Sequence, residues 1–243
     1  GTEGMGQTAE NLVDLHNISR EDQDAFAARS QQKAAAAMKE GRLAEVIVAV
    51  DIPRKKQDPL RFEHDEFVKP TTTPEVLAKL RPAFRKEGGT VTAGNASGLN
   101  DGAAALLMAN EQGMGQHGLE PLARMVSSAV VGVPPRIMGI GPVEASKKAL
   151  AKAGLGWDDV DVIELNEAFA AQSLACIRSW NLPDDDPRIN PNGGAIALGH
   201  PLGMTGARIL LSAARQLRRT GGKHALVTLC IGVGQGYAAV IKN

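Results

Sequence analysis

Val160-Asp161-Val162-Ile163-Glu164-Leu165 is a short apolar, β-branched run that leads into Asn166, after which Glu167 to Trp180 reads as an amphipathic helix. A buried-type strand followed by a helix is the unit of a layered α/β domain. The same alternation extends in both directions. Upstream, Ala123 to Val131 reads as a strand, Pro134 to Pro142 as a proline and glycine loop, and Val143 to Ala153 as a helix. Downstream, Thr205 to Arg219 reads as a helix, and His224 to Leu229 and Tyr237 to Ile241 as strands.

The first hundred residues are less regular. Ser19-Arg20-Glu21-Asp22 carries the signature of a helix N-cap, and its alanine-rich continuation to Lys39 stops at Gly41. Glu45 to Ile52 predicts a strand stopped by Pro53, and the polar residues from Arg54 to Pro74 predict a long loop. Thr90 to Ala93, the turn Gly94-Asn95-Ala96-Ser97-Gly98-Leu99-Asn100-Asp101-Gly102 and Ala103 to Asn110 predict a strand, a glycine turn and a helix. The main domain boundary is expected between about residues 99 and 120.

Composition excludes several functions. Lys plus Arg equals Asp plus Glu at 27 each, and only 3% of residues are aromatic, so the chain has neither the charge nor the rings that nucleic acid needs. Two cysteines make no disulfide framework, and no Cys/His spacing suggests zinc, so a reducing, cytoplasmic setting is expected. Apolar runs such as Ala103 to Ala109 are far shorter than a membrane span, so no membrane partner is expected. The chain opens Gly1-Thr2-Glu3-Gly4-Met5, with no initiator Met and no basic-then-apolar leader.

Two glycine-rich segments carry candidate chemistry. In Asn192-Gly193-Gly194-Ala195-Ile196-Ala197-Leu198-Gly199-His200-Pro201-Leu202-Gly203, glycines let the backbone bend and Pro201 prevents a regular strand or helix from continuing. His200 is either a satisfied histidine or a base presented on a tight loop, with a reference pKa of about 6.5. Cys230, in Leu229-Cys230-Ile231-Gly232-Val233-Gly234-Gln235-Gly236, ends a predicted strand. It is either a small buried hydrophobe or a thiol for chemistry; at its reference pKa only ~3% is thiolate at pH 7, so unperturbed it donates a proton better than it accepts one. Cys176 lies mid-helix between Leu174 and Ile177 and reads as core. Asn166 is placed to cap the following helix, or to hold a water or oxyanion at a strand's carboxyl end.

Other sites find less support. Gly232 to Gly236 precedes a strand rather than a helix, and no Lys-Ser/Thr follows a glycine loop, so phosphate cradles are disfavoured. Asp184-Asp185-Asp186, between Pro183 and Pro187, reads as a solvated loop, and no metal site is expected.

Together, Gly94-Asn95-Ala96-Ser97-Gly98, Asn166-Glu167-Ala168-Phe169, Asn192 to Gly203 and Cys230 to Gly236 resemble the thiolase family in order and spacing across essentially the whole chain. The resemblance implies an α/β/α/β/α layered fold of two similar βαβαβαββ domains with an inserted loop domain. It also implies an N-terminal-domain nucleophile in a Cys-Gly-Ser/Thr-Gly-like motif, which does not occur here. The expectation is therefore a chain that lacks most of the N-terminal domain. Residues 1–98 would be the remainder of the loop domain, 99–118 the closing strand and helix of the N-terminal domain, and 119–243 the C-terminal domain. Such a chain would be inactive alone and would need the N-terminal part of the same protein.

The family's roles transfer by position. His200 would activate the nucleophile and help form an oxyanion hole, Asn166 would hold a water in an oxyanion site, and Cys230 would shuttle the α-proton. Gly232 would stabilise the acyl thioester oxygen through its N–H. Ser97, Met138, Ala168 and Phe169 match residues along the pantetheine path, with Ala93 nearby, and Lys69 falls where biosynthetic thiolases place an arginine near the nucleotide. Acyl-CoA and CoA are the implied partners, CoA being a substrate rather than a resident cofactor, and the assembly is a homodimer or homotetramer.

Residues 182–191, 199–204 and 230–236 are most similar to the β-ketoadipyl-CoA thiolases, and Gly4 stands before Met5 where short-chain acetoacetyl-CoA thiolases commonly carry histidine. The implied reaction is thiolytic cleavage of a 3-oxoacyl-CoA to acetyl-CoA and a shortened acyl-CoA, or the reverse Claisen condensation. The alternatives are an acetoacetyl-CoA thiolase of biosynthetic type and a non-catalytic CoA-binding half. A β-ketoacyl synthase would place a second histidine where Cys230 stands.

Overall fold

A computed structural model of the protein describes residues 3–243. Its centre is a four-stranded sheet of β3 (Arg124–Gly132), β6 (Gln235–Lys242), β5 (His224–Ile231) and β4 (Val162–Leu165), side by side in that order. β3/β6 and β6/β5 are antiparallel, whereas β5/β4 are parallel and so require a crossover. That crossover carries the candidate site.

Period-2 alternation divides the strands between two cores. Ile163, Leu165, Leu226 and Val240 face α5 (Gly141–Ala153) and α6 (Ala170–Ser179). Val162, Ala225, Val227 and Ile241 face α8 (Thr205–Thr220), which returns Ile209, Ala213 and Leu217 at helical spacing. α1 (Met5–His16) and α2 (Arg20–Lys39) form a further layer over α6, contributing Leu12, Phe26 and Ala27 to its core. Ser19 caps α2 by accepting from the Asp22 N–H, as the sequence predicts, whereas α1 was not anticipated. Its opening Gly4 offers no side-chain cap, so its start carries no sequence signal.

The structure corrects several expectations. The strand predicted over 45–52 is instead a 3₁₀ turn, Ala44–Val46, followed by β1 (Val50–Arg54), which runs through Pro53. Pro53 is tolerated because the ladder shifts register between Ile52 and Arg54 in an isolated ribbon. The predicted loop contains β2 (Gln57–Phe62), paired antiparallel with β1, and α3 (Pro74–Leu77). Every residue of β1 and β2 is exposed, so no hydrophobic alternation could announce the hairpin.

Thr90 to Ala93 forms no strand, because the Glu10 carboxylate accepts the Thr90 and Val91 N–H groups and replaces a partner strand. Ala103 to Asn110 is irregular and exposed rather than helical, since none of its faces is buried. Of the strand and helix expected over 99–118, only α4 (Glu111–His117) forms, capped by Asn110. The acidic run is not a solvated loop throughout: Asp184 pairs with Arg178, and buried Asp186 pairs with Arg188, each at 2.7 Å. Among the described residues no cluster of His, Cys, Asp or Glu could hold a metal, and no helix is long and apolar enough to cross a membrane.

Candidate active site

The site gathers at the carboxyl ends of parallel β4 and β5, where open α/β sheets leave a crevice. Asn166 follows β4, and its backbone N–H donates to Thr228 O of β5 at 3.0 Å. Asn166 is not a helix cap: α6 begins at Ala170, whose N–H donates instead to Asn95 O at 2.8 Å. The side chain is thereby free to face His200, with Asn166 Nδ2 at 3.3 Å from His200 Nε2. Asn166 Oδ1 is buried without a hydrogen-bond partner among the described residues.

His200 stands between α7 (Ala195–Leu198) and α8. Gly199 ends α7 at φ +83°, a left-handed backbone that glycine adopts without strain, and its missing Cβ leaves room for the Asn100 side chain. The His200 N–H donates to Gly98 O at 3.1 Å, tying this loop to Gly94–Gly98. His200 Nδ1 lies 2.8 Å from Thr205 Oγ1. Burial first, and then the Arg208 guanidinium, hold the imidazole pKa below its ordinary value. Both causes favour the neutral imidazole, which keeps a lone pair for a proton.

The loop is anchored from below by Glu167. Its carboxylate accepts from Ser30 Oγ at 2.6 Å, Asn190 Nδ2 at 2.8 Å and the Ile196 N–H at 3.2 Å. Asn190 also brackets the Leu165 backbone, so Glu167 and Asn190 fix the segment leading to His200 against β4. Gly194 faces the Glu167 carboxylate, leaving no space for a side chain there.

Cys230 lies inside β5 rather than after it, one residue before its end. It is buried with Met138 and Ala168, and Phe169 packs against them. This apolar surrounding pushes the thiol pKa up to about 12, so it holds its proton at neutral pH. Cys176 is core, as predicted: fully buried in α6, it points its sulfur at Gly139 O, 3.3 Å away. Gly232 opens the β5–β6 turn, and a Cβ there would meet only Met5 Cε at 3.9 Å, so packing does not require glycine.

The CoA candidates divide in two. Met138, Ala168 and Phe169 surround Cys230, and Ser97 joins them through its N–H to Ala168 O at 3.0 Å. Ala93 is exposed and Lys69 lies on a separate loop, so neither belongs to that cluster. Lys69 Nζ sits 5.3 Å from the Phe67 ring, which packs on Gly98, so the loop reaches the Ser97 side. Sequence reasoning passed over Thr205, Arg208 and the partners of Glu167. Thr205 is an ordinary helix-start residue until His200 is seen beside it.

The chain matches known proteins along its length. The family model "Thiolase, C-terminal domain" matches residues 119–243, and "Thiolase, N-terminal domain" matches residues 2–112. The 3-oxoadipyl-CoA/3-oxo-5,6-dehydrosuberyl-CoA thiolase of Escherichia coli (strain K12) is 56% identical over 243 residues, 100% of this chain and 60% of that protein. A beta-ketoadipyl-CoA thiolase of Pseudomonas aeruginosa shows the same identity and coverage: 56%, 100% and 60%. The crystal structure of the Bacillus anthracis acetyl-CoA acetyltransferase superimposes with a TM-score of 0.94 at 46% identity, covering 98% of this chain and 59% of that one. The chain therefore spans 60% of the length of the curated relatives it matches. Both domain models are represented, so the match is not confined to the C-terminal domain. On these matches to family models, relatives and a shared fold, the chain belongs to the thiolase family.

Proposed function

We propose that this chain supplies the base and the proton shuttle for CoA-dependent cleavage of a 3-oxoacyl-CoA. The observation that carries the reading is the pairing of a neutral imidazole, held by Asn166 and Thr205, with a protonated thiol in an apolar pocket. The nucleophile is, by the family resemblance, a cysteine other than Cys176 and Cys230: Cys176 is sealed in α6, and Cys230 stands at the position matched to the proton shuttle.

In this reaction His200 takes the nucleophile's proton as its sulfur attacks the 3-oxo carbon. As the carbon–carbon bond breaks, the acetyl-CoA carbanion takes the Cys230 proton, giving acetyl-CoA and an acyl-cysteine. The Cys230 thiolate, made strongly basic by its apolar pocket, then removes the proton of incoming CoA. The CoA thiolate displaces the acyl group, and the departing cysteine recovers its proton from His200. The Gly232 N–H and the Asn166 side chain stabilise developing negative oxygen. CoA is a substrate running past Ser97, Met138, Ala168 and Phe169, with Ala93 and Lys69 toward its nucleotide end.

By the same reading residues 1–98 are loop-domain, 99–118 close the N-terminal domain, 119–243 form the C-terminal domain, and the protein is a cytoplasmic homodimer or homotetramer. Preference for 3-oxoadipyl-CoA is supported by the names of the relatives that are 56% identical. An acetoacetyl-CoA substrate is favoured by an acetyl-CoA acetyltransferase of Chromobacterium violaceum, 52% identical over 239 residues, 98% of this chain and 60% of that protein.

The test is CoA-dependent loss of 3-oxoadipyl-CoA and of acetoacetyl-CoA, followed separately, with the protein that carries this chain. The first substrate should turn over faster. Cys230→Ser should keep acyl-enzyme formation and lose turnover. Full turnover in that variant removes the shuttle role, and cleavage by the 243 residues alone removes the assignment of the nucleophile.

A further inference from the structure

Thr205 is the first residue of α8, fully buried, and makes two side-chain hydrogen bonds. Its Oγ1 lies 2.9 Å from Pro201 O, placed to donate, and 2.8 Å from His200 Nδ1. A hydroxyl has a single hydrogen. When that hydrogen goes to the Pro201 carbonyl, the oxygen accepts, and Nδ1 must be the donor. On the far side of the ring, Asn166 Nδ2 lies 3.3 Å from Nε2, an arrangement in which the amide donates and Nε2 accepts.

We propose that Thr205 is a positioning residue that fixes the neutral Nδ1–H tautomer of His200, so that Nε2, on the Asn166 side of the ring, carries the lone pair. The chain Nδ1–H to Thr205 Oγ1 to Pro201 O uses the hydroxyl both as acceptor and as donor. The opposite tautomer wastes its acceptor and sets Nε2–H against the Asn166 amide nitrogen, and relieving that clash requires turning the amide over.

Two further features keep the ring neutral. Arg208 donates to Gly199 O at 2.9 Å and brings its charge beside the imidazole. The ring also lies at the N-terminus of α8, where the backbone dipoles disfavour a cation. With protonation disfavoured, the tautomer becomes the remaining variable, and Thr205 decides it. Catalysis needs that lone pair only if the reaction proposed above is right; the tautomer itself stands independently of it.

The tautomer is read directly from nitrogen NMR of [15N]histidine-labelled protein, with the His200 signals assigned by their loss in His200→Asn. Wild type and Thr205→Ser should both show a protonated Nδ1 and an unprotonated Nε2. Thr205→Val, which keeps the shape and removes the hydroxyl, should mix the tautomers. Its kcat should fall about tenfold, the worth of one buried hydrogen bond, with KM for CoA little changed and Thr205→Ser restoring the rate. A protonated Nε2 in wild type overturns the inference, whether or not Thr205→Val folds, as does a Thr205→Val ring unchanged from wild type. Inactive protein with the expected tautomer overturns the proposed function instead.

Discussion

The two sides of the crevice treat their titratable groups in opposite ways. His200 sits among polar partners, Asn166, Thr205 and Arg208, whereas Cys230 sits among Met138, Ala168 and Phe169. Yet in both the first cause of the pKa shift is desolvation, which lowers the imidazole and raises the thiol. Burial therefore favours a neutral imidazole and a neutral thiol over a thiolate–imidazolium pair. The polar side adds what the apolar side lacks, a fixed direction for the lone pair. On the other side the apolar wall of Met138, Ala168 and Phe169 keeps the thiol protonated.

Removing the polar side should have the largest effect. His200→Asn should lower kcat by about 10²- to 10⁴-fold, the usual worth of a placed base, in steady-state assays of the protein carrying this chain. Retention of most activity would mean that the nucleophile finds its base elsewhere.

The apolar side is sharpened by pH. With a thiol pushed up to about 12, alkylation of Cys230 by iodoacetamide should keep rising about tenfold per pH unit, with no plateau near pH 9. The sign for stability follows. A raised thiol pKa stabilises the fold fully below the unfolded value of about 8.5, and that contribution drains away as pH climbs toward the folded value. The depressed His200 acts in the other direction, with stability lost as pH falls below about 6.5. A plateau in alkylation near pH 9 would show that the pocket is wetter than Met138 and Phe169 imply.

Glu167→Ala tests whether the polar side is held from below. It leaves Ser30, Asn190 and the Ile196 N–H without their acceptor, and should cost about 3 kcal/mol in urea unfolding. A loss under about 1 kcal/mol would mean that the His200 loop is held by its other contacts.

The smallest effect concerns the turn after Cys230. Val233 is exposed at φ +68°, a left-handed conformation that a β-branched residue resists. Val233→Asn should raise stability by about 1 kcal/mol, seen as a higher Tm, and should leave the alkylation profile of Cys230 unchanged.

Legibility followed burial. The strands and helices from 124 to 242 were readable because each buries one face against a sheet or helix and so prints a period on the sequence. The β1–β2 hairpin buries neither face, and Thr90–Val91 is held by the Glu10 side chain, so neither leaves a pattern. At the site, His200 and Cys230 stood out through their glycine settings. Asn166 carried two readings, cap and ligand holder, and the start of α6 at Ala170 removed the first.

The sequence by itself determined the thiolase family and the α/β character of residues 119–243, because those rest on local order and spacing. Only the tertiary structure decided how His200 and Cys230 are tuned. Their desolvation comes from residues far apart in the chain, such as Met138 beside Cys230, and the orientation of the imidazole depends on Asn166 and Thr205 meeting it from opposite sides. Desolvation and hydrogen-bond direction are properties of the folded neighbourhood, and no local stretch of sequence carries them.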